Sequence, residues 1–388
     1  MLNSPLSPWP SFTQEEIESV QSVLRSNRVN YWTGQEGRDF EREFAAWCGS
    51  SHAIALANGT LALDLALKAL DIGPGDEVIV TPRSFLASTS TVVNAGATPV
   101  FADVDPDSGN ITANTIEAVM TDRTRAVIPV HLGGWPCDMA PIMALGIKVI
   151  EDCAQAHGAK VGDRSVGSIG DIGAWSFCQD KIMTTGGEGG MVTTADPDLW
   201  SAMWSYKDHG KNWEAVYERK HPEGFRWVHE SFGTNWRMLE VQAAIGRIQL
   251  RHLSEWTERR TSIADRIRGA LSPFAGGIRV PLTPDGFQHA YYRQYAYVRP
   301  DGLKKGWSRD RIVAECNARG IPALHGSCPE IYLEKAFDGT PWRPAERLPV
   351  AKDLGETSLM FLCHPTLTDE EVDRVCSVIS DVADQAVA

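Results

Sequence analysis

Val149-Ile150-Glu151-Asp152-Cys153-Ala154-Gln155-Ala156-His157 opens as an apolar run and then turns acidic. A carboxylate closing a strand of buried residue types is strained, paired or functional. Similar short apolar runs precede it at 52–57, 77–81, 98–102 and 126–130, and each reads as a strand. Helical spacing fills the gaps between them at 60–70, up to residue 95, and near 115–120. Alternation of this kind predicts an α/β fold with a mostly parallel central sheet flanked by helices. Ligands of such sheets gather at the carboxyl ends of strands, where Asp152 is placed.

Downstream comes Gly170-Asp171-Ile172-Gly173-Ala174-Trp175-Ser176-Phe177-Cys178-Gln179-Asp180-Lys181-Ile182-Met183-Thr184-Thr185-Gly186-Gly187-Glu188-Gly189-Gly190, which holds one lysine among small and hydroxylated residues. A lone lysine near glycines carries little, since most lysines are solvated; the joint pattern carries the argument. One reactive amine, one strand-end acid and hydroxylated turns are what a pyridoxal phosphate site needs. The amine of Lys181 forms a Schiff base with the aldehyde, and Asp152 keeps the pyridine nitrogen protonated. At about 3 Å and an effective dielectric near 20, that ion pair is worth on the order of 5 kcal/mol before desolvation.

Asn58-Gly59-Thr60 joins a strand to a helix, so free amides at Gly59 and Thr60 suit a phosphate. Ser176 adds a hydroxyl just before the lysine, and Phe85 is a candidate for stacking on the cofactor ring. Taken singly, each has an ordinary alternative: a capped turn for Thr60, a core aromatic for Phe85.

After Lys181 the pattern gives a strand at 190–194, a helix at 199–207, and a long loop rich in Trp, His and charge. A helix follows at 238–250 and another runs to residue 270. Beyond it a strand at 292–298 and helices at 309–319 and 369–382 read as a smaller α+β unit. The expected division is a large cofactor-binding α/β domain over 1–270 and a small domain over 271–388. Near the start, Thr13 and Glu16 spell a capping box ahead of a helix.

The net charge of −13 opposes nucleic-acid binding. No apolar run approaches a membrane span, and Met1-Leu2-Asn3-Ser4-Pro5 lacks a signal core, so cytoplasmic residence is expected. Eight scattered cysteines without a Cys-x-x-Cys pair read as reduced. No His-Glu-x-x-His spacing suggests a metal, and no Gly-x-Ser-x-Gly elbow suggests a serine hydrolase.

Several motifs in order resemble the DegT/StrS family of sugar aminotransferases, within the fold type I, aspartate aminotransferase-like pyridoxal phosphate enzymes. They are Trp32-Thr33-Gly34, Gly59-Thr60, Gly73-Pro74-Gly75-Asp76-Glu77-Val78, Glu151-Asp152-Cys153-Ala154-Gln155-Ala156, the lysine segment, and Asn235-Trp236-Arg237-Met238. The resemblance spans nearly the whole chain from about Trp32 onward. It implies that Lys181 is the Schiff-base lysine and proton shuttle and Asp152 the pyridinium partner. By the same resemblance Gln155 bonds near the ring hydroxyl, Phe85 stacks, and Gly59, Thr60 and Ser176 hold the phosphate. It further implies a homodimer with shared sites, Asn235 reaching the neighbouring subunit's phosphate. The implied reaction moves an amino group from glutamate, through pyridoxamine phosphate, to a keto sugar, commonly a nucleotide-linked one. Cys178-Gln179-Asp180 departs from a His-Pro often found before the lysine, and the glycine run is one residue richer. Trp32 and His325 are candidate substrate contacts. The alternatives are a sugar dehydratase or lyase using the same cofactor, or a non-enzymatic sugar- or cofactor-binding regulator. One family branch replaces the lysine with histidine and dehydrates its sugar; the retained Lys181 puts this chain on the aminotransferase side.

Overall fold

Val78, Ile79, Val80, Val127, Ile128, Val149 and Ile150 have no exposed surface at all, as β-branched runs covered on both faces should. In the computed structural model, which describes residues 5–388, they lie at the centre of a seven-stranded sheet. The stretch Met1 to Ser4, read above for signal features, lies outside the described residues. The strands are β1 (His52–Leu56), β2 (Glu77–Val80), β3 (Thr98–Phe101), β4 (Thr124–Ile128) and β5 (Lys148–Asp152). After the two-residue strands β6 (Lys160–Val161) and β7 (Arg164–Ser165) come β8 (Ile172–Ser176) and β9 (Gly190–Thr194). The sheet order is β1-β9-β8-β5-β4-β2-β3. Pairing is parallel from β3 to β8, and β9 alone runs against both neighbours.

The pleat sorts the side chains onto two faces. Ile54, Leu56, Val78, Val80, Ile128 and Ile150 face one core, shared with α3 (Gly59–Ala69), α4 (Ala87–Asn94) and α7 (Pro197–Lys207). Their alternates face the other way. Ala53 and Ala55 meet α2 (Glu36–Cys48), while Ile79, Val127 and Val149 meet the short helices α5 (Ala113–Glu117) and α6 (Met139–Met143). Ahead of all these, α1 (Gln14–Ser26) begins at the expected capping box, with the Thr13 hydroxyl and Glu16 carboxylate serving each other's backbone amides. The long loop after α7 carries one further turn, α8 (Trp213–Tyr217).

One expectation is corrected. The two helices read at 238–250 and onward to 270 are a single 32-residue helix, α9 (Glu240–Leu271). No glycine or proline interrupts its middle, and the buried stripe changes partner without breaking. Ala243, Leu250 and Leu253 sit in the core beside α2, whereas Ile263, Ala264, Ile267 and Leu271 sit in another. That second core lines an antiparallel sheet of order β10-β12-β14-β13. Its strands are β10 (Ile278–Arg279), β12 (Arg293–Val298), β13 (Ala323–Leu324) and β14 (Ser358–Leu362), and α10 (Arg309–Ala318) and α12 (Asp369–Ala386) cover it. Strand β11 (Phe287–Gln288) pairs instead with β6. The division expected after residue 270 falls at the last turn of α9, whose second half already belongs to the second core. Conversely, Ile331, Tyr332 and Phe337 return to the first core, and α11 (Pro349–Thr357) packs Ala351 and Leu354 beneath β4 and β5. Among the described residues, no helix is long and apolar enough to cross a membrane.

Candidate active site

Strand β5 delivers Asp152 to the carboxyl end of the sheet, at the floor of a cavity of about 890 Å³. The carboxylate is 5% exposed. Its Oδ2 accepts from the Ser88 hydroxyl at 2.8 Å, and its Oδ1 from the Ala154 amide at 3.1 Å. Ser84 bonds Ser88 in turn at 2.9 Å. Burial pushes the Asp152 carboxyl above its ordinary value, even though the bonds from Ser88 and Ala154 and the charge of Lys181 favour the anion. A buried acid left short of compensation is suited to a cationic ring nitrogen in the cavity.

Lys181 shares this cavity. Its side chain is 15% exposed, with Nζ 4.0 Å from Asp180 and 5.3 Å from the centre of the Tyr292 ring. The Tyr292 hydroxyl donates to Asp180, and Arg293 approaches the same carboxylate at 3.9 Å. Burial alone would raise the Asp180 carboxyl; Lys181, Tyr292 and Arg293 outweigh it and hold the group below its ordinary value.

The opposite end of the cavity is built by the first turn of α3. Asn58 caps it, its Oδ1 accepting from the Leu61 amide at 3.0 Å, so the amides of Gly59 and Thr60 remain for a ligand. Glycine is required here by proximity: a Cβ on Gly59 would lie 2.6 Å from the Cβ of Ser176, at the end of β8. Gln155 accepts from the Gly133 amide through Oε1 at 2.8 Å, which assigns the amide and leaves its NH2 as a donor at the cavity wall. Phe85 stands at the cavity edge with 71% of its surface exposed, an aromatic face that a ring bound above Asp152 would cover. Acid, amine, helix N-terminus, amide donor and open aromatic therefore fit pyridoxal phosphate.

Seven expected residues thus line one cavity: Lys181, Asp152, Gly59, Thr60, Phe85, Gln155 and Ser176. Three are placed elsewhere. Trp32 stacks on Tyr217, its indole N–H donating to Asp208 at 3.2 Å. The His325 ring turns toward Asp310 at 3.3 Å, although Leu324 and Gly326 on either side line the cavity. Asn235 is exposed and pairs through its backbone with Asp208.

Sequence reasoning missed Ser88, Tyr292 and Arg293, and also the support under β5. There the His131 Nδ1 accepts from the Cys137 amide at 2.9 Å, so its Nε2–H donates to Glu151 at 3.1 Å. Glu151 also accepts from Ile169 and Gly170, and these bonds hold it below its ordinary value despite full burial. Ser88 carried no local signal in the sequence, because its partner Asp152 lies 64 residues away.

Behind the site lie buried histidines with a testable consequence. Burial pushes His157, His289 and His364 each down to about 3; the charges of Lys181 and Arg260 add to this at His157, and those of Arg260 and Arg293 at His364. Neither ring nitrogen of His157 has a hydrogen-bond partner among the described residues. In the unfolded chain all three take a proton near pH 6.5; in the native chain they do not. The unfolded state therefore gains protons first on acidification, and stability falls from about pH 6.5 toward 3, by about 1.4 kcal/mol per pH unit for each. Urea midpoints at pH 7.5 and 5 test this: the midpoint drops at pH 5, and an unchanged one would contradict the neutral, buried state of these rings.

A model of the DegT/DnrJ/EryC1/StrS aminotransferase family matches residues 10–380. A solved structure of an aminotransferase from Psychrobacter cryohalolentis is 62% identical, with a TM-score of 0.96 over 97% of this chain and 98% of that one. UDP-N-acetyl-3-dehydro-alpha-D-glucosamine 3-aminotransferase of Acidithiobacillus ferrooxidans is 38% identical over 94% of this chain and 93% of its own. A spore coat polysaccharide biosynthesis protein of Bacillus subtilis is 36% identical over 96% and 95%.

Proposed function

Because the chain belongs to the DegT/DnrJ/EryC1/StrS aminotransferase family and is a pyridoxal phosphate-dependent aminotransferase of amino-sugar biosynthesis, we propose that it moves the amino group of glutamate to a nucleotide-linked keto sugar. The observation that carries this is the placing of Lys181 and Asp152 in one cavity with the free amides of α3. The 38% identical relative is named for a UDP-linked 3-keto sugar, and an open cavity of about 890 Å³ has room for a sugar beside the cofactor.

Pyridoxal phosphate, bound here, supplies an aldehyde and a protonated ring that draws electrons from the substrate carbon. The chain does the rest. Lys181 Nζ holds the aldehyde and later moves the proton between the reacting carbons. Asp152, oriented by Ser88 and the Ala154 amide, keeps the ring nitrogen protonated. Gly59, Thr60 and Ser176 take the phosphate; Gln155 donates near the ring hydroxyl; Phe85 covers the ring face.

The second half of the reading is a dimer. The loop after α7 exposes Phe225, Trp227 and Phe232, the last at 99%, apolar side chains that a partner surface would cover. Docking on a second copy would cover them and carry Asn235 to the partner's phosphate, where the helix-end amides are otherwise helped by hydroxyls alone. All eight cysteines are unpaired, which supports a reducing, cytoplasmic setting.

The test is the visible spectrum of the purified protein with pyridoxal phosphate. A yellow band that collapses on L-glutamate and returns on a UDP-linked 3-keto sugar is the expected result. A protein that stays colourless, or whose band ignores glutamate, would defeat the reading.

A further inference from the structure

Trp9 is 172 residues from Lys181 in sequence, yet its indole N–H donates to the Lys181 backbone carbonyl at 2.7 Å. We propose that the N-terminal segment is a clamp that fixes the lysine loop, with Trp9 as a positioning residue for Lys181. The inference rests on the function above but is carried by separate contacts.

Trp9 is itself firmly held. Its ring meets Trp256 of α9 edge-on at 5.2 Å and stacks on His364 at 6.3 Å. The buried Arg260 guanidinium lies 5.2 Å from its centre. On the N-terminal side, Ser7 donates to Glu371 of α12 through its amide at 2.6 Å and its hydroxyl at 3.0 Å. The Pro8 carbonyl accepts from Thr366 at 2.8 Å. This strap is therefore anchored on the second core before it reaches the lysine.

A second line from the same segment ends three residues past Lys181. Glu16 spends one oxygen on the cap of α1 and with the other accepts from Gln249 at 2.7 Å. Gln249 Oε1 in turn accepts from the Thr184 amide at 2.8 Å. Glu16, Gln249 and Thr184 are 3%, 1% and 0% exposed, so these bonds are shielded from competing water. Thr184 then closes the loop, its hydroxyl donating to the Phe177 carbonyl and accepting from the Gly187 amide. The loop is thus pinned at 181 and at 184 by one segment, and the lysine stem is left as the free part. Reactivity at Nζ depends on sub-ångström placement, which a loop rich in glycine does not supply alone.

Trp9→Phe removes the N–H and keeps a ring, so packing is retained. In the holoenzyme we expect kcat to fall about 10-fold with KM for glutamate unchanged, and the pH midpoint of the visible band to move. Amides of residues 182–187 should exchange faster with deuterium, and this readout needs no catalysis. Trp9→His, which can restore a ring N–H, should recover part of the loss. Gln249→Met cuts the other line and should give the same exchange pattern even where Trp9→Phe fails to fold. Normal kcat, band and exchange in Trp9→Phe would overturn the clamp, as would loss of folding in both Trp9→Phe and Gln249→Met. If the wild-type protein shows no band at all, the proposed function falls, while faster exchange in the variants still upholds the clamp.

Discussion

Lys181→Ala will take up pyridoxal phosphate without a covalent link and will lose transamination by about 10⁴-fold or more. The variant keeps every other contact the cofactor needs, because the phosphate end, Gln155 and Asp152 sit on different elements. It also keeps the Trp9 bond, which is made to the backbone of residue 181 and not to its side chain. Removing the amine takes away both the group that holds the aldehyde and the group that moves the proton, so loss is near complete. Borohydride fixation followed by mass measurement checks the first claim, and single-turnover absorbance with glutamate the second. The same variant tests the shared site. Mixed with Asn235→Ala chains and reassembled, it should regain activity, since each mixed dimer then holds one site with both residues intact. No gain on mixing would place Asn235 in the service of its own chain.

Asp152→Asn should separate catalysis from folding by moving them in opposite directions. Asparagine is nearly isosteric; it can still accept one of the two bonds now made by Ser88 and Ala154. What it lacks is the charge that holds a ring proton, a loss on the order of 10²- to 10³-fold in kcat. Burial already works against the Asp152 anion, so the cofactor-free variant should unfold at or above the wild-type temperature. A calorimetric scan beside a rate measurement decides the matter. Low activity with low stability would make Asp152 a structural residue, and the assignment would fail.

Some of this was legible in sequence because the signals are local. Strands β2 and β5 are dense apolar runs, the Thr13–Glu16 box lies within one turn, and Asp152 and Lys181 announce themselves by their surroundings. Strand β14 was not legible: Ser358 to Leu362 is buried at every position, shows no alternation, and follows α11 without a break. Strand β8 was hidden by its glycine and alanine. Helix α9 looked like two because its one apolar stripe serves two different cores along its length. Within the site, what escaped was whatever depends on chain segments meeting. Ser88 reaches Asp152 across 64 residues, and Tyr292 reaches Asp180 across 112; no local pattern predicts such pairs. Trp32 and His325 are conspicuous in sequence, and their side chains pair with Asp208 and Asp310.

The unbroken course of α9 bears on how the chain can vary in length. Its first half is phased to the core beside α2, where a Cβ on Gly246 would come 2.6 Å from the Phe40 ring, and its second half to the core under β12. Each residue added between them rotates the second face by about 100° and advances it about 1.5 Å. One or two extra residues would swing Ile263 and Ile267 into solvent, whereas seven return the stripe to within about 20° of its original azimuth. The helix acts as a crankshaft between two cores, and the added lengths it can accept are those that restore its azimuth, about 7, 11 or 18 residues.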